Sequence, residues 1–335
     1  MTATTTTRPA PSAPRHDPKV TTALRRFAIS ISVLNILGYT VLGFEQPWIW
    51  PFVALATAYT VEIGLEMFGA RSEGRAPRFL GNGVRGLVEF LFPAHITALA
   101  VNMLTYVNDQ VVAMMFGVVV AIGAKWVLRA PVRGRLRHFM NPSNFGIMVI
   151  LVVFPWASIA PPYHFTENVD GLIDWLLPVA IIGLGTMLNA KLTGRMWLIA
   201  AWLSVFALQS IVRGVVLDTS ILGALGTMTG VAFVLFTNYM ITDPGTSPSK
   251  PASQVAFGGG VAVVYGLLTG AGIPYGLFFA TAAVCAIRGG FLWSVYVVEK
   301  TRTQREATER AIAAANGPTP AAVSAPSNTK EVVVA

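Results

Sequence analysis

Two short polar segments interrupt an otherwise apolar chain, and they hold the residue types best suited to chemistry. Asn141, Ser143 and Asn144 lie in His138-Phe139-Met140-Asn141-Pro142-Ser143-Asn144-Phe145-Gly146, while Thr242, Asp243 and Thr246 lie in Thr242-Asp243-Pro244-Gly245-Thr246-Ser247-Pro248. Pro244 stops the apolar run Val231 to Ile241 and biases Asp243 toward extended geometry, leaving a carboxylate at a helix end. Asn141 or Ser143 can cap the following helix. Alternatively, the two segments can form an ion or anion site, because membrane proteins build such sites from interrupted backbone beside helix ends. Both readings stay open on residue type alone.

The other candidates are ionisable groups inside apolar runs, where a charge is costly unless paired or hydrated. Glu62 and Glu66 are four apart on one helix face. Glu66 lies near the charged end, where solvation or Arg71 would satisfy it, and Glu62 lies deeper. Glu89 and His95 flank Pro93, which frees backbone groups and can bend a helix toward a polar interior; the alternative is a structural hydrogen bond. Arg288, beside Gly289 and Gly290, requires an acidic partner or a bound anion, and Asp243 or Glu62 could serve if their helices adjoin.

The elements that must position these groups follow from composition. With 335 residues, 54% hydrophobic and 12% charged, and a mean hydropathy of +0.60, this is not a soluble globular chain. A helical crossing takes roughly 20 apolar residues, and the runs here lack the alternation of barrel strands. The expected fold is all-α integral membrane with about ten transmembrane helices, over Phe27 to Phe44, Trp48 to Phe68, Leu87 to Tyr106, Val111 to Val127, Phe145 to Ile159, Leu172 to Leu188, Trp197 to Val216, Leu222 to Ile241, Val255 to Gly270 and Tyr275 to Val297.

Charge distribution orients them. One set of connections collects Arg25 and Arg26, Arg71 to Arg85, Arg129 to Arg137, Lys191 and Arg195, Lys250, and Lys300 to Arg305; the other carries Glu45, Asp109, Glu167, Asp170 and Asp218. By the positive-inside rule both termini are cytoplasmic, in a cytoplasmic membrane, and the net charge of +8 reads as topology, with the lipid bilayer as partner and no nucleic acid. The Thr-, Pro- and Ala-rich ends, 1–22 and 307–335, are expected to be disordered tails, neither a cleavable signal peptide.

Cys285 is the sole cysteine, which excludes an internal disulfide and an iron–sulfur cluster held by this chain alone. Of His16, His95, His138 and His164 only His95 falls in a span, so a membrane haem lacks its two axial imidazoles. There is no zinc spacing or phosphate-binding Gly-rich loop, and no metal site is expected; Gly258-Gly259-Gly260 suits close helix packing.

The order Arg137-His138-Phe139-Met140-Asn141-Pro142-Ser143-Asn144 and then Ile241-Thr242-Asp243-Pro244-Gly245-Thr246-Ser247-Pro248 resembles the family of the D subunit of Rnf electron-transport complexes (RnfD) and the B subunit of sodium-translocating NADH:quinone reductase (NqrB). Within that family the chain is similar to the enediyne-biosynthesis UnbU branch from Asp17 to about Lys300, through Leu34 to Gly38, Gly43 to Gln46, Pro93 to Thr97, Asn141 to Gly146, Pro161 to Asn168 and Leu188 to Arg195. The resemblance implies two inverted five-helix halves, 27–159 and 160–298, between a cytoplasmic tail over 1–26 and another, largely disordered, over 299–335. It also implies electron transport or linked ion transport, with redox or biosynthetic partner subunits in an enediyne-type natural-product pathway, as a redox-accessory subunit rather than a stand-alone enzyme.

The family's covalent flavin mononucleotide (FMN) is attached through a Ser/Thr-Gly-Ala-Thr motif, which this chain lacks: Thr193-Gly194-Arg195 and Thr229-Gly230-Val231 both depart after the glycine. Covalent FMN is therefore not expected, and non-covalent flavin or quinone is what the resemblance leaves. The rival readings are a cofactor-free small-molecule or ion transporter lined by Glu62, His95, Asp243 and Arg288, and a membrane scaffold that anchors partner enzymes through Arg129 to His138 and the C-terminal tail.

Overall fold

The computed structural model describes residues 18–132, 134–161 and 165–315. Arg133, His16, His164 and the outer portions of both expected tails lie outside the described residues. The chain divides into two units, Met1–Leu292 and Trp293–Ala335. The first contains the helices α1 (Pro18–Leu37), α2 (Trp50–Ser72), α3 (Gly83–Leu104), α4 (Val111–Val127), α5 (Pro142–Val153), α6 (Gly171–Leu188), α7 (Met196–Val216), α8 (Ile221–Gly226), α9 (Val231–Leu235) and α10 (Pro251–Gly270). A final helix, α11 (Gly276–Ala315), begins in the first unit. The described part of the second unit is helical and largely exposed, with an Arg302–Glu306 pair at 2.9 Å one turn apart.

The packing is that of a chain whose solvent is lipid. Ala54, Ala58, Ala94, Ala98 and Ala121 are fully buried, whereas Phe68, Trp175 and Leu222 are 76%, 75% and 82% exposed. Small residues inside let helices approach, and the large apolar surface outside is stable only against hydrocarbon. Gly258 of α10 acts this way: a Cβ on it would sit 2.4 Å from the Leu198 carbonyl oxygen of α7, so only glycine permits that contact.

Among the described residues seven helices are long and apolar enough to cross a membrane, or eight when the bent pair 221–240 is one span. This is a multi-pass helical membrane protein. The apolar helices α4 and α5 are shorter, at 17 and 12 residues, or about 25 and 18 Å at 1.5 Å per residue. That is less than the roughly 30 Å of a hydrocarbon core. Sequence reading carried α5 to Ile159, but Phe154 precedes Pro155 and leaves helical geometry at φ −116° and ψ 89°, as pre-proline crowding demands. The following residues instead pair β4 (Ser158–Ile159) with β1 (Thr105–Tyr106).

The eighth expected helix is likewise not one rod. It breaks by 63° between Thr229 and Val231, where Gly230 is extended and the Thr227 and Thr229 hydroxyls donate to the Ala224 and Gly226 carbonyls at 2.7 Å. Hydroxyls that compete for local carbonyls weaken a helix. At the ends, α1 starts nine residues before Phe27 and α11 runs on past Val297 to Ala315, so helix replaces part of each expected tail.

Two further features recur. Both α1 and α6 end in a five-residue π turn, Gly38–Leu42 and Asn189–Thr193, closed by a left-handed glycine, Gly43 at φ 77° and Gly194 at φ 66°. Only glycine takes that conformation without strain. Helix α2 packs on α3 and α4 and α1 on α3; correspondingly α7 packs on α8 and α10, and α6 on α9.

Candidate functional site

Asn141 starts α5 and ties the two sequence motifs together. Its side-chain oxygen accepts from the Asn144 backbone N–H at 3.0 Å and the Ser143 hydroxyl at 3.1 Å, an N-cap. Its amide nitrogen donates to the Met240 carbonyl at 2.9 Å, at the end of a third π turn, Phe236–Met240. Asn144, fully buried, donates to the Phe278 carbonyl of α11 at 2.9 Å, and its side-chain oxygen is buried without a hydrogen-bond partner.

The second motif is a self-bonded turn. Buried Thr242 donates to the Asn238 carbonyl at 2.7 Å. Asp243 accepts from the Gly245 N–H at 3.1 Å through Oδ1 and from the Thr246 hydroxyl at 2.9 Å through Oδ2, while its carbonyl takes the Ser247 N–H at 2.8 Å. This is the Asx arrangement by which aspartate stabilises a tight turn. Arg288 does not pair with Asp243 or Glu62; its Nη1 donates to the Thr246 carbonyl at 2.8 Å.

Arg195, only 7% exposed, completes the site, having read in sequence as a topology-setting loop cation. Its Nε donates to the Ser247 hydroxyl and its Nη1 to the Thr193 carbonyl, each at 2.8 Å. Burial, with the like charge of Arg288, pushes the Arg195 guanidinium below its usual range despite the attraction of Asp243. His138, at the end of the hairpin β2 (Arg129–Val132) and β3 (Arg135–His138), faces the same turn. Burial holds it below the ordinary imidazole range against the pull of Asp243, with Lys125 and Arg129 adding to the lowering. Arg195, His138, Ser247 and Arg288 line a polar cleft of about 410 Å³ empty volume.

The structure does not bring the remaining candidates here. Glu62 pairs with Lys125 at 2.9 Å, with both side chains nearly buried. Glu66 is fully buried rather than solvated, and its partners are Arg75 and Arg78 rather than Arg71. Arg78 meets it with its backbone N–H and Nε at 2.7 Å, and its guanidinium stacks over Trp126 at 5.6 Å. Hydrogen bonds to Glu66 and Glu73 raise the Arg75 pKa. Glu89 meets Arg85 at 2.9 Å and Arg25 at 3.8 Å. His95 has both ring nitrogens occupied, by Ser32 and Tyr59 at 2.7 Å each, while α3 passes through Pro93 without a break. Its role is a structural bridge between α1 and α2.

A second cavity, apolar, has an empty volume of about 870 Å³. Its walls come from α1 (Ile31, Leu34), α3 (Ile96, Met103), the α9 segment (Phe236, Tyr239) and α11 (Leu277, Phe278), with Phe165 and Ser143 also lining it. Ser143 and Tyr239 supply its hydroxyls, and Tyr239 is hydrogen-bonded to Ser30. None of Glu62, His95, Asp243 and Arg288 lines it. Sequence reasoning missed this cavity because its residues are ordinary span residues, scattered from Phe27 to Phe278. It also missed Lys125 and Gln254, the latter 1% exposed and donating to the Gly194 carbonyl at 2.8 Å. Buried Cys285 packs in the core, and among the described residues no three His, Cys, Asp or Glu groups could share a metal ion. No protein-family model matches this chain, and no curated protein gives a significant match.

Proposed function

We propose that this chain is a redox-accessory membrane subunit of Rnf/Nqr-like type that holds a quinone between two inverted five-helix halves, with both termini cytoplasmic. The observation that carries this reading is the apolar cavity, whose walls come from both 27–159 and 160–298 and which reaches Ser143 and Met240 beside the two polar motifs. The halves themselves are supported by the repeated π turns with their glycine caps and by the matching helix contacts. Counting the short α4 and α5 and the bent 221–240 segment, there are ten apolar segments among the described residues, and an odd number per half reverses the second.

A quinone suits the wall chemistry better than a flavin. Its ring is apolar and asks little of the walls beyond a donor to a carbonyl, which the Tyr239 hydroxyl can provide, whereas a flavin's pyrimidine edge needs more polar partners than this cavity offers. Covalent flavin has no place in the reading: Thr193 precedes Gly194-Arg195, and its hydroxyl donates to the Asn189 side chain at 2.8 Å. A bound quinone supplies two-electron redox chemistry; the chain's own part is to orient the ring and exclude water. An enediyne-type pathway and biosynthetic partners follow from the UnbU resemblance. A second reading, small-molecule transport, draws on the 63° break in the 221–240 segment, but Glu62 and His95 are already internally bonded.

The test is binding of a soluble quinone analogue to the protein in nanodiscs, read by quenching of tryptophan fluorescence. Saturable quenching that is lost in Ala232→Phe, which fills the cavity, is expected. Equal quenching in that variant would reject the cavity as the site.

A further inference from the structure

The polar cleft holds more positive charge than the protein neutralises. Arg137, Arg195 and Arg288 line it, with His138, Ser247 and Ser249 between them. None of the three arginines forms an ion pair among the described residues. Asp243, the carboxylate that attracts Arg195 and directly precedes the lining residues Pro244 and Gly245, spends both oxygens on its own turn. Three guanidinium charges against one carboxylate leave an excess of two. The mutual repulsion registers on Arg195, which Arg288 helps to push down.

Arg195 is nonetheless held in place by the Ser247 hydroxyl and the Thr193 carbonyl, and Arg288 by the Thr246 carbonyl. Positive groups fixed close together at the mouth of a cleft are preorganised for an anion, which would relieve their repulsion. Guanidinium forks and hydroxyls arriving from four places, β3, the residue before α7, the 242–249 turn and α11, suit an acceptor with three terminal oxygens better than a planar carboxylate.

We propose that this cleft binds a phosphate group, presented either by an anionic lipid headgroup or by a soluble phosphorylated molecule. This goes beyond the quinone reading and does not depend on it. Phosphate oxygens would accept from Arg288, Arg195 and the exposed Arg137, with Ser247 and Ser249 hydroxyls at the flank. Neutral His138 accepts or donates one hydrogen bond without adding charge.

Thermal unfolding of the purified protein in nanodiscs tests this, with two arms. In phosphatidylcholine discs, inorganic phosphate is titrated at constant ionic strength, with chloride as control; in the second arm phosphatidylglycerol replaces part of the lipid. Saturable stabilisation by phosphate in the first arm assigns a soluble source, and stabilisation by phosphatidylglycerol alone assigns a headgroup. In either case Arg288→Gln is expected to weaken the response about tenfold and Arg137→Gln several-fold, as loss of a charge-assisted hydrogen bond implies. Should Arg195→Gln fail to fold, those two variants still decide. Absence of stabilisation in both arms, or an undiminished response in Arg288→Gln, would overturn the proposal. The cavity variant Ala232→Phe is expected to leave the phosphate response unchanged, so the two readings fail separately.

Discussion

The acids of α2 and the arginines of the cleft are opposite solutions to the same problem. Glu62 and Glu66 sit deep between helices, and each is closed off by a cation: Lys125 for the first, Arg75 and Arg78 for the second. Arg195 and Arg288 are also largely withdrawn from solvent, yet only hydroxyl and carbonyl oxygens reach them. A buried charge with its counterion inside the chain is architecture; one without it is kept for something that binds.

Glu66→Gln should break the comparison most severely. It leaves two arginines facing a fully buried amide, and removing one partner of a buried ion cluster costs about 3–5 kcal/mol. A large drop in melting temperature or loss of folded protein in size-exclusion chromatography is expected. Glu62→Gln should cost somewhat less, about 2–3 kcal/mol, and adding Lys125→Met should restore much of that loss, since the uncompensated charge is then gone. Simple additivity of the two losses in thermal melts would contradict the pairing.

Arg288→Gln lies at the other end: it gives up one hydrogen bond to Thr246, about 1 kcal/mol. Asp243→Asn should cost no more than about 1 kcal/mol, because an amide oxygen can still take the Gly245 N–H, and it should tighten phosphate binding by removing a negative charge beside the cleft. The smallest effect concerns His138. Its folded pKa lies below the unfolded value of 6.5, so the unfolded state binds more protons below that pH and stability falls as the solution is acidified through about 6.5. His138→Gln should flatten that acid limb in a melting-temperature series, while leaving the value near pH 8 almost unchanged.

The membrane class was legible because hydropathy acts residue by residue, and so were the two polar breaks, because proline and asparagine punctuate a helix in a local way; that Asn141 reaches the Met240 carbonyl, 99 positions on, was not. Helix lengths were less so: Pro155 and Gly230 end or bend a helix inside runs that remain apolar, and hydropathy is blind to that. Pairing was hidden for a different reason. Lys125 reaches Glu62 across 63 positions and Arg195 reaches Ser247 across 52, contacts that only the packed fold creates. Arg71 looked the natural partner for Glu66 by proximity in sequence, but the chain turns after Ser72 and presents Arg75 and Arg78 instead.

The proposed quinone between the two halves is open to photolabelling. The protein in nanodiscs would be irradiated with an azidoquinone and the modified peptides located by mass spectrometry. Labels on the 96–104 and 231–240 segments, displaced by excess unlabelled quinone, are the predicted result, since both segments line the cavity. Labels confined to the lipid-facing surfaces of α6 and α7, or labels that unlabelled quinone fails to displace, would contradict it.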